Sequence, residues 1–313
     1  MDVAGPPTLR PMLAGAVGIP ADAATRMVEP KWDGVRVIAT VTQGRARFSS
    51  RNANDVTGAY PELEMAPANV VDAVLDGEVI ALDEHDHASF GSLQRRMHVR
   101  RPPPGLLAEV PVHFAVFDLL WIDGELLIDE PQRERRRRLD ALALHAGGWV
   151  TSPVLEATPE ALPATARAMG LEGFMLKRPH APYLPGRRSP AWAKVKILRR
   201  REFVVGGWLE GRGGGVGSLA IGVWEDDRRR LRFMGMVGSG LKPTGSGPLE
   251  GLARADSPFA GPTPPRVRFL EPVLVAEVTF SEVTAAGTLR HPVLLGFRTD
   301  KDPADVVADD ELG

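Results

Sequence analysis

One octapeptide carries the densest chemistry in this chain: Glu29-Pro30-Lys31-Trp32-Asp33-Gly34-Val35-Arg36. It sets a lysine directly before a Trp-Asp-Gly turn and an arginine five residues on. A lysine amine can attack the α-phosphate of a nucleotide if it is neutral and if cations hold the phosphate charge. A free lysine, with a pKa near ~10.4, is almost wholly protonated at neutral pH. Desolvation or neighbouring cations make it nucleophilic. Such cations are offered by Trp192-Ala193-Lys194-Val195-Lys196, where strand alternation puts Lys194 and Lys196 on one face. Glu172-Gly173-Phe174-Met175-Leu176-Lys177 adds a carboxylate at a strand start, suited to a divalent cation on phosphate oxygens. Asp76-Gly77-Glu78 reads, by itself, as a turn with two exposed carboxylates. Phe117, in Val116-Phe117-Asp118, reads by itself as a core aromatic. Arg298-Thr299-Asp300-Lys301 is a weak signal alone.

Strands must position most of these groups. Residues 35–41 and 45–50 predict a hairpin around Gln43-Gly44. Residues 73–82 predict a second strand pair or one bent strand. The apolar run 110–122, bounded by Asp123-Gly124, predicts a buried strand. Residues 131–144 and 159–169 predict helices, and 173–179 and 191–198 short strands. The basic stretch 133–138 is expected to be a solvated helix face, with a phosphate-contacting patch as the alternative. Residues 198–202 read as a linker. Beyond it, 203–209, 218–224, 231–238 and 273–280 are short strand-like segments between Gly and Pro turns, which suggests a small barrel. The run 211–217 is glycine-rich but lacks a Gly-Lys-Ser/Thr ending, so it reads as a loop between barrel strands and not a phosphate loop.

The 313 residues suffice for two domains with substantial cores. A hydrophobic fraction of 43% and a charged fraction of 25% are those of a globular protein. The net charge of −2 gives no global basic field, so nucleic-acid affinity must come from local patches such as 133–138, 199–201 and 228–230. Cysteine is absent, which removes disulfides, cysteine nucleophiles and cysteine-ligated zinc. Residues 1–13 do not read as a secretory signal, and no apolar run reaches the ~18 residues of a membrane span.

Taken in order, the motifs resemble those of the covalent nucleotidyltransferases: ATP-dependent DNA ligases, RNA ligases and mRNA capping enzymes. The resemblance implies that Lys31 becomes Lys-AMP. It implies that Glu29 reads the adenine amino group and that Arg36 holds ribose or phosphate. Ser50-Arg51-Asn52 would grip the phosphate of the broken strand through Arg51; the family often has Gly next, where this chain has Ala53. Glu78 would contact the ribose and a nearby metal, Phe117 would stack on the base, and Met175 would join the nucleotide-binding set. Glu172 would be the metal-side residue, with Lys194 and Lys196 neutralising the α-phosphate. Arg298, Asp300 and Lys301 would orient the leaving pyrophosphate, which implies a second domain that closes over the ATP site with the linker as hinge.

Within this group, three stretches look most like the ligase domain of bacterial end-joining ligases and their stand-alone relatives. They are Phe90-Gly91-Ser92-Leu93-Gln94-Arg95-Arg96-Met97-His98, Phe117-Asp118-Leu119-Leu120-Trp121-Ile122-Asp123-Gly124 and Leu289-Arg290-His291-Pro292. The implied fold is α+β: a nucleotidyltransferase (ATP-grasp-like ligase) domain at 1–199, with antiparallel sheets and flanking helices, then an all-β OB-fold barrel at 200–313. The implied activity is ATP-dependent sealing of 5′-phosphate/3′-hydroxyl breaks in duplex DNA during repair. Its cofactors would be ATP and Mg2+, with Mn2+ as an alternative. Its setting would be a monomer in the bacterial cytoplasm at the nucleoid, with a Ku-type end-binding protein as partner and no membrane. The polymerase and nuclease domains of larger members, and the zinc modules of NAD-dependent ligases, are not expected in these residues. The competing readings are an RNA ligase, a capping guanylyltransferase and a non-catalytic DNA-end-binding module. Glu29 favours adenine over guanine.

Overall fold

Lys31 lies where the chain passes from one sheet to another. The computed structural model describes residues 5–83, 87–97, 99–225, 227–241, 249, 251–284, 286–309 and 312. Residues 1–4 of the N-terminal stretch and His98 of the 90–98 stretch fall outside them. The chain separates into two compact units, Met1–Ile197 and Leu198–Gly313.

In the first unit, β1 (Leu13–Val17) and β2 (Met27–Pro30) belong to one sheet, and β3 (Val35–Thr42) opens the next. β3 and β4 (Arg45–Ser50) form the expected hairpin. Gln43 and Gly44 both take left-handed backbone, φ 51° and 74°, which matches the twist of the flanking strands. β5 (Ala73–Ala81) is one strand and not a pair. Asp76-Gly77-Glu78 therefore is not an exposed turn: it lies mid-strand, with Asp76 fully buried. After α1 (Phe90–Gln94) and α2 (Pro104–Glu109) comes β6 (Val112–Ile122), the buried strand expected from its apolar run. Asp76 faces Asp118 and Gly77 faces Val116, so Phe117 is an extra residue in β6. A bulge of this kind re-aims a side chain. Gly77 permits the close approach, because a Cβ there would stand 2.4 Å from the Phe114 ring and 2.7 Å from the Ala115 carbonyl oxygen.

β7 (Glu125–Leu126), α3 (Gln132–Ala141), β8 (Trp149–Thr151), α4 (Leu162–Ala168), β9 (Gly173–Lys177) and β10 (Arg188–Lys196) complete the unit. The strand orders are β1-β10-β9-β2 and β4-β3-β5-β6-β7, with β8 parallel to β6. Alternation along β3 separates two cores. Val37, Ala39 and Val41 join Phe48, Leu75, Phe114 and Trp149. Ile38 points the other way, with Val74, Phe117 and Leu120, onto Met12, Tyr183 and Trp192. The two sheets thus share a buried layer. The far side of the first sheet, with Val28, Phe174, Leu176, Ala193 and Val195, is covered by Leu162 and Ala166 of α4.

The basic run 133–138 departs from a solvated face. Arg135 is fully buried and donates to both Asp118 oxygens at 2.8 and 2.9 Å. Arg136 is buried against Asp140. Helical spacing explains this, since 132, 135, 136 and 139 form one inward stripe. Arg137 and Arg138 face outward and pair with Glu134 and Glu125.

The second unit is the OB-fold barrel. Its strands are β11 (Arg199–Glu210), β12 (Val216–Trp224), β13 (Leu231–Val237), β14 (Arg268–Phe280) and β15 (Val293–Arg298), in the order β13-β12-β11-β14-β15. A parallel bridge between Ser239 and Val293 brings the two outer strands together. Residues 199–202 are not a linker: β11 starts at Arg199 and pairs with β14 from the Arg199–Phe280 position onward. Charge hid this strand from a hydrophobicity reading. Arg200 clasps Glu277 at 2.7 and 2.8 Å, and Arg201 clasps Asp309 at 2.6 Å through both nitrogens. The 211–217 run is, as expected, the connection between β11 and β12. No helix among the described residues is long and apolar enough to cross a membrane.

Candidate active site

The floor of the site is one face of the first sheet, laid out in rows. Register places Trp192 opposite Lys177, Lys194 opposite Met175, and Lys196 opposite Gly173. On the other side of β9, Glu29 lies opposite Met175. The Lys31 amide donates to the Gly173 carbonyl oxygen at 2.9 Å, which carries the same alternation one step past β2. Period-two geometry therefore turns Glu29, Lys31, Met175, Lys177, Trp192, Lys194 and Lys196 toward the same side. Gly34 lets the chain leave this floor at once for β3, because a Cβ there would stand 2.2 Å from the Val79 carbonyl oxygen.

At one end of the floor, Glu172 bridges two lysines. Its Oε2 contacts Lys31 Nζ, and its Oε1 lies 2.6 Å from Lys196 Nζ. Burial alone would raise the Glu172 pKa, but Lys31 and Lys196 hold it below the ordinary carboxylate range. At the other end, Glu29 and Lys177 are both buried and stand 2.6 Å apart. Burial pushes the Glu29 carboxyl upward against the pull of Lys177. Its second oxygen, Oε1, is buried and has no hydrogen-bond partner among the described residues.

The second sheet supplies the opposite wall. Arg36 and Glu78 are neighbours across β3 and β5. Arg36 donates to Asp76 at 2.8 and 2.6 Å and to the Met12 carbonyl oxygen at 3.0 Å. Tyr183 completes this clasp by donating its hydroxyl proton to Asp76 at 2.6 Å while accepting from the Met12 amide. Burial pushes Glu78 up to about 8, against the pull of Arg36 and Lys31. The bulged Phe117 has the Arg36 guanidinium 4.8 Å and the Lys177 ammonium 4.6 Å from its ring centroid.

Between these walls is a cleft of about 290 Å³. Glu29, Lys31, Arg36, Arg51, Glu78, Phe117, Met175 and Lys194 all line it, so most of the expected set converges. Glu172 and Lys196 join through Lys31. Arg298, Asp300 and Lys301 belong to the second unit, where Arg298 donates to Asp300 at 2.8 and 2.7 Å and to Glu202 at 3.1 Å. Ser50-Arg51-Asn52 does form a tight turn: the Ala53 amide donates to Ser50, and Ala53 takes φ 63° where the related motif often has Gly. Lys177, Asp76 and Trp192 stood within the quoted motifs but were given no site role, and Arg188 was not named, yet all but the buried Asp76 line the cleft. For Lys177 a signal existed, since it lies two residues after Met175 on the same strand.

The donor set fits a nucleotide and a hard cation. Glu29 Oε1, a buried acceptor without a partner, suits an exocyclic amine. The carboxylates Glu78 and Glu172 are hard oxygen donors. Among the described residues no group of three or more His, Cys, Asp or Glu could hold a metal by itself, so such a cation would take most of its ligands from phosphate and water.

A cleft with a lysine at the foot of paired strand lysines is suited to holding a nucleotide, and sequence comparison gives the class of protein. Residues 11–196 match the family described as the ATP dependent DNA ligase domain, and residues 212–301 match the ATP dependent DNA ligase C terminal region. The chain belongs to the ATP-dependent DNA ligase family. It is 37% identical over 318 residues to the multifunctional non-homologous end joining protein LigD of Mycolicibacterium smegmatis, covering 97% of this chain and 40% of that protein. A DNA ligase of Methanopyrus kandleri is 32% identical over 95% of this chain and 57% of its own length. Among solved structures, a mycobacterial DNA ligase D complexed with ATP and MES is 35% identical with a TM-score of 0.56, covering 96% of this chain and 98% of that one. The chain therefore spans well under two thirds of the length of the LigD relative.

Proposed function

We propose that this chain seals 5′-phosphate/3′-hydroxyl breaks in duplex DNA through a Lys31-AMP intermediate, as part of bacterial end-joining repair. The observation that carries this reading is the placement of Lys31 Nζ on the cleft floor, in contact with Glu172, which also binds Lys196. Lys31 Nζ first gives up its ammonium proton to water, since a carboxylate held below its ordinary range by two lysines is a poor base. Nζ then attacks the ATP α-phosphorus, the bond to the β-phosphate oxygen breaks, and pyrophosphate leaves. AMP passes to the 5′-phosphate of the break. The 3′-hydroxyl oxygen attacks that phosphorus, and AMP departs. Each step needs positioning and neutralisation of developing charge, which Lys194, Lys196 and Arg36 supply from fixed strands. Glu78 and Glu172 would hold Mg2+ or Mn2+, which supplies further charge neutralisation when bound. Glu29 would select adenine, Phe117 and Met175 would flank the base, and Arg51 would grip the phosphate of the broken strand.

The name of the Mycolicibacterium relative supports the end-joining assignment. With that assignment we also propose a Ku-type end-binding partner, a monomeric state and a place at the nucleoid. The test is incubation with α-labelled ATP and a nicked duplex, following both protein and DNA. Label on Lys31 that passes to the DNA end is expected, and Lys31→Ala should abolish both. Label on another lysine, or DNA sealing by Lys31→Ala, would overturn the reading.

A further inference from the structure

Lys177 lies beneath the nucleotide cleft with no part in the reaction just described. Its Nζ stands 2.6 Å from Glu29 Oε2 and donates to the Phe117 carbonyl oxygen at 3.4 Å. It also lies 4.6 Å from the centroid of Phe117 and 4.4 Å from that of Trp192. An anion, a carbonyl and two π faces together call for a cation. The charged groups that face the Glu29 carboxyl are Lys177 from β9, Arg136 from α3 and Asp118 from β6. Arg136 is paired with Asp140 and Asp118 with Arg135, and among the described residues the direct ion-pair contact to Glu29 is that of Lys177. The other Glu29 oxygen has no hydrogen-bond partner among the described residues.

We propose that Lys177 sets base specificity: by holding Glu29 Oε2 it keeps Glu29 an acceptor and aims Oε1 at the base, so that 6-aminopurines are chosen over 6-oxopurines. This rests on the reading of Lys31 as the nucleotide acceptor. Adenine presents an N–H donor at position 6, whereas hypoxanthine and guanine present a carbonyl oxygen. A carboxylate against that oxygen leaves two acceptors facing each other in a dry site, and sites built this way reject the mismatched ligand strongly. Without the ammonium, burial acts on Glu29 almost unopposed and favours the protonated acid. The O–H of that acid can donate to a 6-oxo group. Lys177 acts through Glu29 and is a positioning residue.

The experiment compares single-turnover labelling of Lys31 by ATP and by ITP. The wild type should prefer ATP by on the order of a thousandfold or more. Lys177→Met keeps the stem and removes the charge, and it should narrow that ratio by about tenfold or more, while Lys177→Arg keeps most of it. An unchanged ratio in Lys177→Met, with both nucleotides slowed alike, means a merely structural role and overturns the proposal. A measurement on the wild type needs no variant. The ATP:ITP ratio should fall as pH falls, because acid protonates Glu29, whereas any effect on Lys31 is common to both nucleotides and cancels. A ratio flat with pH also overturns the proposal. If ATP does not label the wild type at all, the parent reading has failed, and this one with it.

Discussion

Glu172 divides its oxygens between the nucleophile and a strand lysine. Removing either the carboxylate or Lys196 should slow adenylation and sealing by roughly a hundredfold or more, the usual cost of losing one preorganised charge contact. Both side chains retain some exposure, so the fold should survive. Near-normal single-turnover rates in Glu172→Ala or Lys196→Ala at saturating Mg2+ would sink these roles. Glu78 offers a test in pH. Its carboxyl is pushed up to about 8 in the fold, above its ordinary value. The unfolded chain therefore holds fewer protons there between about pH 5 and 8, and stability falls as pH rises through that window. Glu78→Gln cannot ionise, so its melting temperature should match the wild type near pH 5 and exceed it increasingly toward pH 8.5. A constant gap across that range would refute the burial of an ionisable Glu78. Lys31 and Glu172 stood out through their motifs, whereas Lys194 and Lys196 were legible as a pair because two-residue alternation is a local rule. Lys177 obeys the same rule, but its role depends on Glu29, far away along the chain. Asp76 was misread because an internal Gly usually marks a turn, whereas Gly77 marks a close approach of two strands.

The strands themselves were mostly legible from apolar runs and turn pairs. β1, β2, β8 and β15 were not marked by such runs, and two further departures share one cause, which is charge. In α3 the guanidinium of Arg135 is neutralised by Asp118, so a basic residue occupies a position that a hydrophobicity reading assigns to solvent. In β11, Arg200 and Arg201 are neutralised across the sheet and beyond it, so a strand looked like a linker. One consequence is that the basic stretches 133–138 and 199–201 are largely spent on internal pairs and make poorer phosphate-binding patches than their composition promised. Cleft residues such as Arg51 and Arg188 are the better candidates. The turn after β4 carries another testable feature. Ala53 sits at φ 63°, a conformation that costs a non-glycine residue about 1 kcal/mol. Ala53→Gly should raise the unfolding free energy read from urea titration by roughly that amount, and the midpoint with it, less what glycine adds to the freedom of the unfolded chain. A lower midpoint would mean that the Ala53 methyl group contributes packing that outweighs the strain.

Each unit has its own core, and the motifs are split between them. Arg298 and Lys301 lie on the barrel, and family resemblance assigns them to pyrophosphate departure in the first step only. Arg298→Ala and Lys301→Ala should therefore block labelling of Lys31 by ATP yet spare sealing of a nick that already carries AMP on its 5′ end. No effect on either reaction would mean that Arg298 serves only its local pairs with Asp300, Glu202 and Glu277. Equal loss of both would point to DNA binding or folding. Either result defeats the assignment, and circular dichroism would report any loss of structure. The net charge of −2 said nothing of this division, because function here depends on where a few cations stand and not on their sum.

The rows on the cleft floor bear on which genetic changes this protein can tolerate. A point substitution removes one group and leaves its neighbours in place. A single-codon deletion just before Trp192 would act differently, because one residue of slip in a strand exchanges its two faces. Ala193 and Val195 would turn to the nucleotide, and Trp192, Lys194 and Lys196 would turn into the apolar layer under α4. A deletion scan should therefore find β10 far less forgiving than the 211–217 loop, and inherited variation in length should collect in loops of that kind.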